Sequence, residues 1–258
     1  MLGRSTRLDT MKAVIVIPAR YDSSRLPGKP LVDICGKPLI VRVLDGARAV
    51  RGVDRVVVAT DDERILAAVK GHGGEALMTA ADHGTGTERI AEAVGGIDAD
   101  IVINLQGDEP LVGTEMVEGL LRAMGDEPDL QMATLSHSIT TAEDVKNPNI
   151  VKVITDLEGY ALYFSRLPVP FLRKDAREVQ GFTYRKHIGI YAYRRDWLLR
   201  FASLDPTPLE KCEKLEQLRA MENGVRIRVL ASPADTIGVD TEEDLVRVRE
   251  IFAGRGAQ

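Results

Sequence analysis

The sequence predicts an α/β fold with a doubly wound, mostly parallel sheet, and two patterns in its first half indicate it. Short continuous runs rich in β-branched residues, at 12–17, 54–59 and 100–105, are typical of strands buried on both faces. Segments with apolar residues at helical spacing alternate with these runs, as at 38–50. Strands that alternate with helices at this pace indicate a parallel sheet that binds its ligands at the carboxyl ends of the strands.

The other elements are assigned in chain order from the same periodicities. Helices are expected at 61–72, 87–94, 113–124, 209–223 and 241–252, and strands at 75–78, 131–139, 151–155, 161–164, 187–193 and 225–230. Thr87 is expected to cap the helix that it begins, and Gly224 to end the helix before it. Thr241 begins the final helix, where Asp244 completes a capping box.

A single domain spanning 11–258, with an inserted arm around 165–190, accounts for this order of elements. The arm is centred on a charged, proline-containing stretch at 168–181, between two predicted strands. We interpret the polar residues 1–10 as a dispensable, disordered extension or an alternative start, because Met11 stands directly before the first buried strand.

The composition argues against several classes of protein. The formal net charge of −5 provides no positive field for nonspecific binding to nucleic acid or to an anionic membrane. No stretch approaches the roughly 20 apolar residues that a membrane-spanning helix needs. The two cysteines, Cys35 and Cys212, stand in neither a metal-binding nor a CxxC spacing, which predicts reduced thiols in a cytoplasmic protein.

The loop after the first strand carries three cations within ten residues. Arg20, Arg25 and Lys29 alternate with small residues in the stretch ARYDSSRLPGKP. Glycine lets backbone amides approach phosphate oxygens, and the cations neutralise their charge. The stretch matches neither GxxxxGK[ST] nor GxGxxG, so the standard nucleotide-binding motifs are absent. Its place in an α/β fold nevertheless favours a polyphosphate site over a solvated basic loop.

Two aspartates are candidate magnesium ligands. Asp108 follows a buried strand in the stretch LQGDEP, and a carboxylate facing a polyphosphate loop is the hard oxygen donor that magnesium prefers. Asp240 precedes the final helix, where the residues alone leave open whether it binds a metal or caps the helix. Asp61 and Asp62 are interpreted as the start of a helix and not as ligands.

A second loop, ADHGTGTER at 81–89, places small residues and hydroxyl groups directly before a helix. Such a loop can meet a base and a ribose with its backbone groups. The N-terminus of the following helix adds positive potential. The loop is therefore a candidate for binding the nucleoside part of a nucleotide.

Together with these loops, motifs along most of the chain resemble the sugar cytidylyltransferases, and among these the enzymes that activate 3-deoxy-manno-octulosonate (KDO). The similarity covers 12–251 and includes ARYDSSRLPGKPLVDICGKPLI, VVVATDDERI, ADHGTGTERIAE, VINLQGDEPL, NPNIVKV, GYALYFSRLPVP, YRKHIGIYAYRR, LEKCEKLEQLR and GVDTEEDLVRVR. It implies a fold of the nucleotide-diphospho-sugar transferase type, whose inserted arm forms a homodimer. It also implies CTP and KDO as substrates, Mg²⁺ as cofactor and a role in lipopolysaccharide synthesis.

The resemblance implies roles for the residues at matching positions. Those for CTP are Ala19, Arg20, Lys29, Thr85 and Gly86, and those for magnesium are Asp108 and Asp240. Those for the acceptor sugar are Gln106, Arg166, His187, Tyr191, Glu216, Gln217 and Arg25, the last shared between sugar and phosphate. Gly84 stands where the family more often has glutamine, so no base contact is assigned to it.

Without the resemblance, several acceptor residues have simpler interpretations. His187 and Tyr191 could be core residues, although alternation along one strand places both side chains on the same face. Glu216 and Gln217 could face solvent on a helix. The residues alone do not decide between these alternatives.

The predicted reaction is attack of the sugar's anomeric hydroxyl on the α-phosphorus of CTP, which releases pyrophosphate and forms CMP-KDO. Arg20 and Lys29 would stabilise the leaving pyrophosphate. Magnesium at Asp108 would polarise the α-phosphate, and magnesium near Asp240 would lower the pKa of the attacking hydroxyl. No side-chain general base is assigned.

There are three alternatives to this predicted activity. One changes only the acceptor, to the 8-amino analogue of KDO or a sialic acid. A second is a nicotinamide-dependent dehydrogenase, which the missing GxGxxG argues against. A third is a noncatalytic nucleotide-binding regulator, which would be expected to lack Asp108 or Lys29, and both are present.

Overall fold

Strands and helices alternate through most of the chain, of which the computed structural model describes residues 11–22, 26–173 and 182–255. The strands are β1 (Ala13–Ala19), β2 (Asp33–Ile34), β3 (Lys37–Pro38), β4 (Arg55–Thr60), β5 (Ala76–Met78), β6 (Ile101–Asn104), β7 (Met132–Ser138), β8 (Lys152–Thr155), β9 (Ala161–Ser165), β10 (Arg185–Arg194) and β11 (Ile227–Ala231). The helices are α1 (Leu39–Arg48), α2 (Glu63–Gly71), α3 (Gly86–Gly95), α4 (Thr114–Asp126), α5 (Ala142–Lys146), α6 (Arg195–Ala202), α7 (Pro208–Glu213), α8 (Gln217–Glu222) and α9 (Glu242–Arg255).

The central sheet has the order β11–β7–β10–β6–β1–β4–β5, and β8 and β9 extend it beside β10. β1 lies parallel to both β4 and β6, and β4 lies parallel to β5. β10 is antiparallel to β6 and β7, whereas β7 is parallel to β11. The prediction of a mostly parallel sheet is therefore confirmed for the main order of strands, with β10 as the exception.

β1 is covered by helices on both faces of the sheet, as a continuous β-branched run predicts. Ile15 and Ile17 belong to one core cluster, together with the buried residues of α1, α2, α4 and α9. Val14 and Val16 belong to a second cluster on the other face, with the buried residues of α3, α6 and α8. The sheet is thus doubly wound, and the carboxyl ends of β1, β4 and β6 meet at one edge, where loops can hold a ligand.

The single helix predicted at 209–223 is wrong, because the segment forms two short helices, α7 and α8. The break lies at Lys214, whose φ of 54° is the left-handed conformation that residues with side chains rarely adopt. The guanidinium of Arg166 stabilises the break by donating to the carbonyl oxygens of Glu213 and Lys214, at 2.7 and 3.3 Å. The apolar stripe that predicts the helix, Leu215, Leu218 and Met221, lies entirely after the break, so the periodicity gives no sign of it.

The other predicted elements are present, with ends that differ by a few residues. The sequence does not predict α5, α6 or the short hairpin of β2 and β3; α6 follows β10 without a loop that would mark its start. Asp244 N donates to Thr241 Oγ1 and Thr241 N to Asp244 Oδ2, so the predicted capping box of α9 is confirmed. Both cysteines are free and exposed.

Two predicted segments lie wholly or partly outside the described residues. Residues 1–10 are the first, and 174–181, in the middle of the predicted arm, are the second. The described flanks of the arm, 166–173 and 182–184, contain neither helix nor strand and connect β9 to β10. Among the described residues, the structure contains no helix with the length and apolar character of a membrane span.

Candidate active site

The basic loop after β1 ends in a tight turn. Gly28, with a φ of 68°, leads into the 3-10 turn Lys29–Leu31. A side chain at position 28 would be strained in this conformation, and its Cβ would lie 3.1 Å from the hydroxyl oxygen of Tyr21. Arg25, which the resemblance assigns to sugar and phosphate, lies outside the described residues.

Lys29 joins the two predicted magnesium ligands. Its Nζ donates to Asp108 Oδ2 at 2.6 Å and to Asp240 Oδ1 at 3.0 Å. The Lys29 side chain is 15% exposed. Burial lowers its pKa, but the two carboxylates raise it by more, so the pKa of Lys29 lies above its ordinary value and the ammonium group stays charged.

Backbone contacts hold the two aspartates beside this lysine. Val239 N donates to Asp108 O at 2.8 Å, so the segment before α9 runs next to the segment after β6. Gly107 packs so closely against β1 that an added Cβ would lie 2.8 Å from Pro18 O. Glycine is therefore required at this position for the loop that carries Asp108 to approach the end of β1.

The loop before α3 forms another wall of the site. Glu88 N donates to Thr85 Oγ1 at 3.2 Å, so Thr85 caps α3 and the prediction that Thr87 does so is wrong. Gly86 begins the helix beside β1, where an added Cβ would lie 3.4 Å from Pro18 Cγ. The amides of the first helical turn have no partner within the helix, and they give this wall a positive potential.

A cavity of about 380 Å³ lies between these walls, at the carboxyl ends of β1 and β6. Its lining residues are Pro18, Ala19, Arg20, Asp22, Lys29, Pro30, His83, Gly84, Thr85, Gly86, Arg89, Gln106, Gly107, Asp108 and Asp240. The structure therefore brings together all five residues that the resemblance assigns to CTP, both candidate metal ligands and Gln106. Basic side chains and a helix N-terminus on the walls suit an anionic ligand.

Arg89, which also lines the cavity, is a buried cation that the sequence did not single out. Its Nη2 donates to Asp61 Oδ2 at 2.6 Å. Asp62 accepts from Arg64 N at 2.9 Å and caps α2. The interpretation of this aspartate pair as a helix start is confirmed for Asp62, whereas Asp61 pairs with Arg89.

His187 and Tyr191 lie side by side on β10, with ring centroids 5.3 Å apart. Between them, β10 contains a bulge in which Gly189 and Ile190 have no paired residue on β7. Because an even number of residues is inserted, the alternation is kept and both side chains remain on one face. Burial lowers the pKa of His187 to about 3 and raises the pKa of Tyr191, so both side chains are neutral at physiological pH.

Glu216 connects this aromatic pair to α3. Its Oε2 accepts a 2.6 Å hydrogen bond from the hydroxyl of Thr87, and its charge helps to raise the pKa of Tyr191. Burial raises the pKa of Glu216 itself, although the Thr87 hydroxyl and Arg219 oppose this effect.

Gln217, the residue after Glu216, is buried, and its Nε2 has no hydrogen-bond partner among the described residues. The alternative that Gln217 faces solvent is therefore wrong. An unsatisfied buried amide is unfavourable. An ordered water or a ligand at Nε2 would complete its hydrogen bonding.

Gln106 links the cavity to these acceptor residues. It lines the cavity, and its Nε2 donates to Gly189 O, in the β10 bulge, at 3.3 Å. Of the acceptor residues that the structure describes, only Gln106 lines the cavity. His187, Tyr191 and Glu216 form an adjoining group, and Gln217 follows Glu216 in the chain. Arg166 is not part of that group, because its guanidinium donates to Pro148 O and to two carbonyls at the break between α7 and α8.

The donor set at Asp108 and Asp240 suits a magnesium ion. Both groups are carboxylates, and they already share one cation, the ammonium of Lys29. In the part of the chain that the structure describes, no three His, Cys, Asp or Glu side chains are arranged around a common metal position. The protein would thus provide two oxygen ligands, and phosphate oxygens and waters would provide the rest, as is usual for magnesium at nucleotide sites.

The sequence analysis assigns no role in the site to three residues that shape it: Gly107, Thr87 and Arg89. Gly107 carries a local signal, because a glycine just after a buried strand suggests close backbone approach at the ligand-binding edge. The other two carry none, since the partners of Thr87 and Arg89 are 129 and 28 residues away in the chain.

The chain is similar to known proteins over almost its whole length. A family model described as cytidylyltransferase matches residues 14–227. A relative from Geobacter sulfurreducens named 3-deoxy-manno-octulosonate cytidylyltransferase is 49% identical over 247 residues, which are 93% of this chain and 99% of that relative. A relative of the same name from Syntrophobacter fumaroxidans is 52% identical over 246 residues, 94% of this chain and 98% of the relative.

Solved structures are similar as well. The structure of CMP:2-keto-3-deoxy-manno-octonic acid synthetase complexed with CTP has 50% sequence identity and a TM-score of 0.89, over 95% of this chain and 99% of its own. The structure of 4-diphosphocytidyl-2C-methyl-D-erythritol synthase from Anaerococcus prevotii has 13% identity and a TM-score of 0.62, over 96% of this chain and 98% of its own. The second similarity concerns the fold alone.

Proposed function

Because this chain belongs to the cytidylyltransferase family, we propose that it transfers CMP from CTP to the anomeric hydroxyl of KDO, releasing pyrophosphate and forming CMP-KDO. Relatives at 49% and 52% identity over nearly their full length bear the name of this activity. The observation that carries the proposal is the cavity where the basic loop, two aspartates and the N-terminus of α3 converge beside the acceptor group. Donor and acceptor would meet at Gln106, which contacts both parts of the site.

The donor half of the site has the groups that a nucleoside triphosphate requires. Arg20 and Lys29 would neutralise the charge that develops on the departing pyrophosphate. Lys29 already contacts two carboxylates, so exchanging one of them for a phosphate oxygen would keep its ammonium paired. The backbone at Thr85 and Gly86 would contact the nucleoside part, next to the positive end of α3.

Asp108 and Asp240 are the residues that would hold magnesium together with the triphosphate. Bound there, Mg²⁺ would supply charge neutralisation and polarisation at the α-phosphate. The chain's own part is to keep the carboxylates in place, through the backbone bond between Val239 and Asp108 and the close packing of Gly107 on β1.

The acceptor half suits a sugar acid with many hydroxyl groups. His187 and Tyr191 are neutral polar side chains, and Gln217 offers an unpaired amide. The resemblance assigns Arg25 to both the sugar and the phosphate. Arg166 could join it only by giving up some of its bonds to backbone carbonyls. Catalysis would then rest on positioning and charge neutralisation, with no covalent enzyme intermediate.

The chain would act as a cytoplasmic homodimer that supplies lipopolysaccharide synthesis. Apolar side chains on β9 and the flank of the arm support the dimer, because Leu162, Leu167 and Phe171 are 58%, 69% and 86% exposed. Large apolar side chains exposed on one segment mark a contact surface, and twofold dimers are the commonest oligomers. Analytical ultracentrifugation of the wild type and of Phe171→Asp would test this: the wild type should sediment as a dimer and the variant should dissociate more readily.

The activity is tested with purified protein, CTP, KDO and Mg²⁺. Pyrophosphate should be released, and CMP-KDO should appear in the mass spectrum. No release, or equal release with UTP in place of CTP, would contradict the cytidylyl transfer. A panel that contains KDO, its 8-amino analogue and a sialic acid would identify the preferred acceptor.

A further inference from the structure

A fully buried threonine spans the irregular part of β10 beside the acceptor residues. It is Thr134 of β7. Its Oγ1 lies 2.9 Å from His187 Nε2, 3.1 Å from Ile188 O and 2.8 Å from Ile190 O. Three neighbours thus compete for one hydroxyl group, and this constrains where the protons are.

The hydroxyl has a single proton to donate, and a carbonyl oxygen can only accept. If Thr134 donated to His187, its oxygen would face the carbonyl oxygens of Ile188 and Ile190 at 3.1 and 2.8 Å with no proton between them. The arrangement that avoids this repulsion directs the hydroxyl proton at the carbonyls. The imidazole then donates, from Nε2–H to the threonine oxygen. A neutral imidazole carries one proton, so Nδ1 is left as the accepting nitrogen.

The surroundings of His187 favour the neutral ring that this arrangement needs. Phe164 packs edge-on at 5.1 Å and Tyr191 at 5.3 Å between ring centroids. Burial lowers the pKa of His187 to about 3. Part of the residue nevertheless remains accessible. Thr134 contacts the ring at Nε2, so Nδ1 is the ring nitrogen that is left for a ligand.

We propose that Thr134 is a positioning residue that holds His187 as the Nε2–H tautomer, so that the acceptor site presents Nδ1 as a hydrogen-bond acceptor. The identity of the acceptor rests on the proposed function. An accepting nitrogen pairs with a sugar hydroxyl and repels a carboxylate. His187 therefore selects for a hydroxyl group and leaves the carboxylate of the sugar acid to a cation elsewhere in the site.

The tautomer is measured directly by two-bond ¹H–¹⁵N correlation on protein labelled only at its four histidines, near neutral pH and with EDTA. The variant His187→Gln assigns the signal of His187. We expect a bare Nδ1 and a protonated Nε2 in the wild type and in Thr134→Ser, and a loss of this pattern in Thr134→Val. A protonated Nδ1 or an imidazolium in the wild type would overturn the proposal without any threonine variant.

Steady-state kinetics test whether Thr134 affects binding of the acceptor sugar. We expect Thr134→Val to raise the KM for KDO about three- to tenfold, the loss of roughly one hydrogen bond, while Thr134→Ser stays within about twofold of the wild type. The KM for CTP should be unchanged in both variants. Equal KM values for KDO in the valine and serine variants would overturn the proposal. If the wild type releases no pyrophosphate with CTP and KDO, the proposed function fails, and the spectrum still decides the tautomer.

Discussion

The hydroxyl of Thr87 donates a 2.6 Å hydrogen bond to Glu216 Oε2, and this contact joins the nucleotide half of the site to the acceptor half. Thr87 lies on the first turn of α3, next to Gly86, which lines the cavity. Glu216 lies at the break between α7 and α8, next to Gln217. The contact therefore couples the position of the acceptor residues to the helix that faces the triphosphate.

Replacing Thr87 by valine would keep the side-chain shape and remove this hydrogen bond. We expect the KM for KDO to rise about tenfold or more, because a hydrogen bond to a charged group contributes about 1.5–3 kcal/mol. The KM for CTP should change less. Steady-state kinetics with each substrate varied in turn would measure the difference, with Thr87→Ser as the matched control. An unchanged KM for KDO in the valine variant would show that the contact does not position the acceptor residues.

The two carboxylates should differ from other surface aspartates in their effect on the metal requirement. We expect Asp240→Asn to raise the Mg²⁺ concentration for half-maximal rate by at least about tenfold. Loss of even an outer-shell hydrogen-bond partner lowers metal affinity by about that factor. Asp196→Asn, at a side chain 99% exposed on α6, is the control and should not change this concentration.

EDTA should stop pyrophosphate release and added Mg²⁺ should restore it. An Asp108→Ala protein that keeps its fold and its turnover would contradict the metal assignment.

A methyl group at Gly107 should disturb the site through the backbone. An added Cβ would lie 2.8 Å from Pro18 O, an atom that cannot move without displacing β1. We expect Gly107→Ala to lower the free energy of unfolding by about 1–3 kcal/mol and to lower kcat, because the loop that carries Asp108 must shift. Urea denaturation would measure the stability change.

The control for this substitution is Gly46→Ala, on α1, where an added Cβ meets no atom within 4 Å. The free energy of unfolding of this control should rise by up to about 1 kcal/mol, because alanine is the better helix former. Equal stability of the Gly107 variant and the wild type would show that β1 and the loop after β6 are farther apart than described.

Glu109 should make the stability of the protein depend on pH. Its Oε2 is buried without a hydrogen-bond partner among the described residues. Burial, with a further contribution from Asp108, raises the pKa of Glu109 from 4.5 to about 7. Between these values the native protein keeps a proton that the unfolded chain has released. The free energy of unfolding therefore falls as the pH rises through this window, by up to about 1.4 kcal/mol per pH unit.

The variant Glu109→Gln lacks this titration. Its stability relative to the wild type should therefore increase from pH 4.5 to about 7 and stay constant above. Urea denaturation of both proteins in EDTA, at a series of pH values, would measure the difference. A difference that does not change with pH would show that the carboxyl group titrates normally.

Several features of the site were predictable because they are local. The strands at the ligand-binding edge appear as continuous β-branched runs, since burial on both faces leaves that signature in the sequence. The loop after β1 shows its cations within ten residues. The break at Lys214 was not predictable, because Arg166, 48 residues earlier in the chain, satisfies its carbonyl oxygen. A single amphipathic helix has the same apolar pattern.

The sequence by itself determined the order of the elements, the place of the basic loop and the side chains available to bind phosphate and metal, because periodicity and loop composition are local properties. Only the tertiary structure decided which of them meet. Lys29 is 79 residues from Asp108 and 211 residues from Asp240, and no local pattern encodes such a contact. Thr85 caps α3 while the hydroxyl of Thr87 bonds a partner 129 residues away. The pKa of His187 likewise follows from burial, which exists only once the elements pack together.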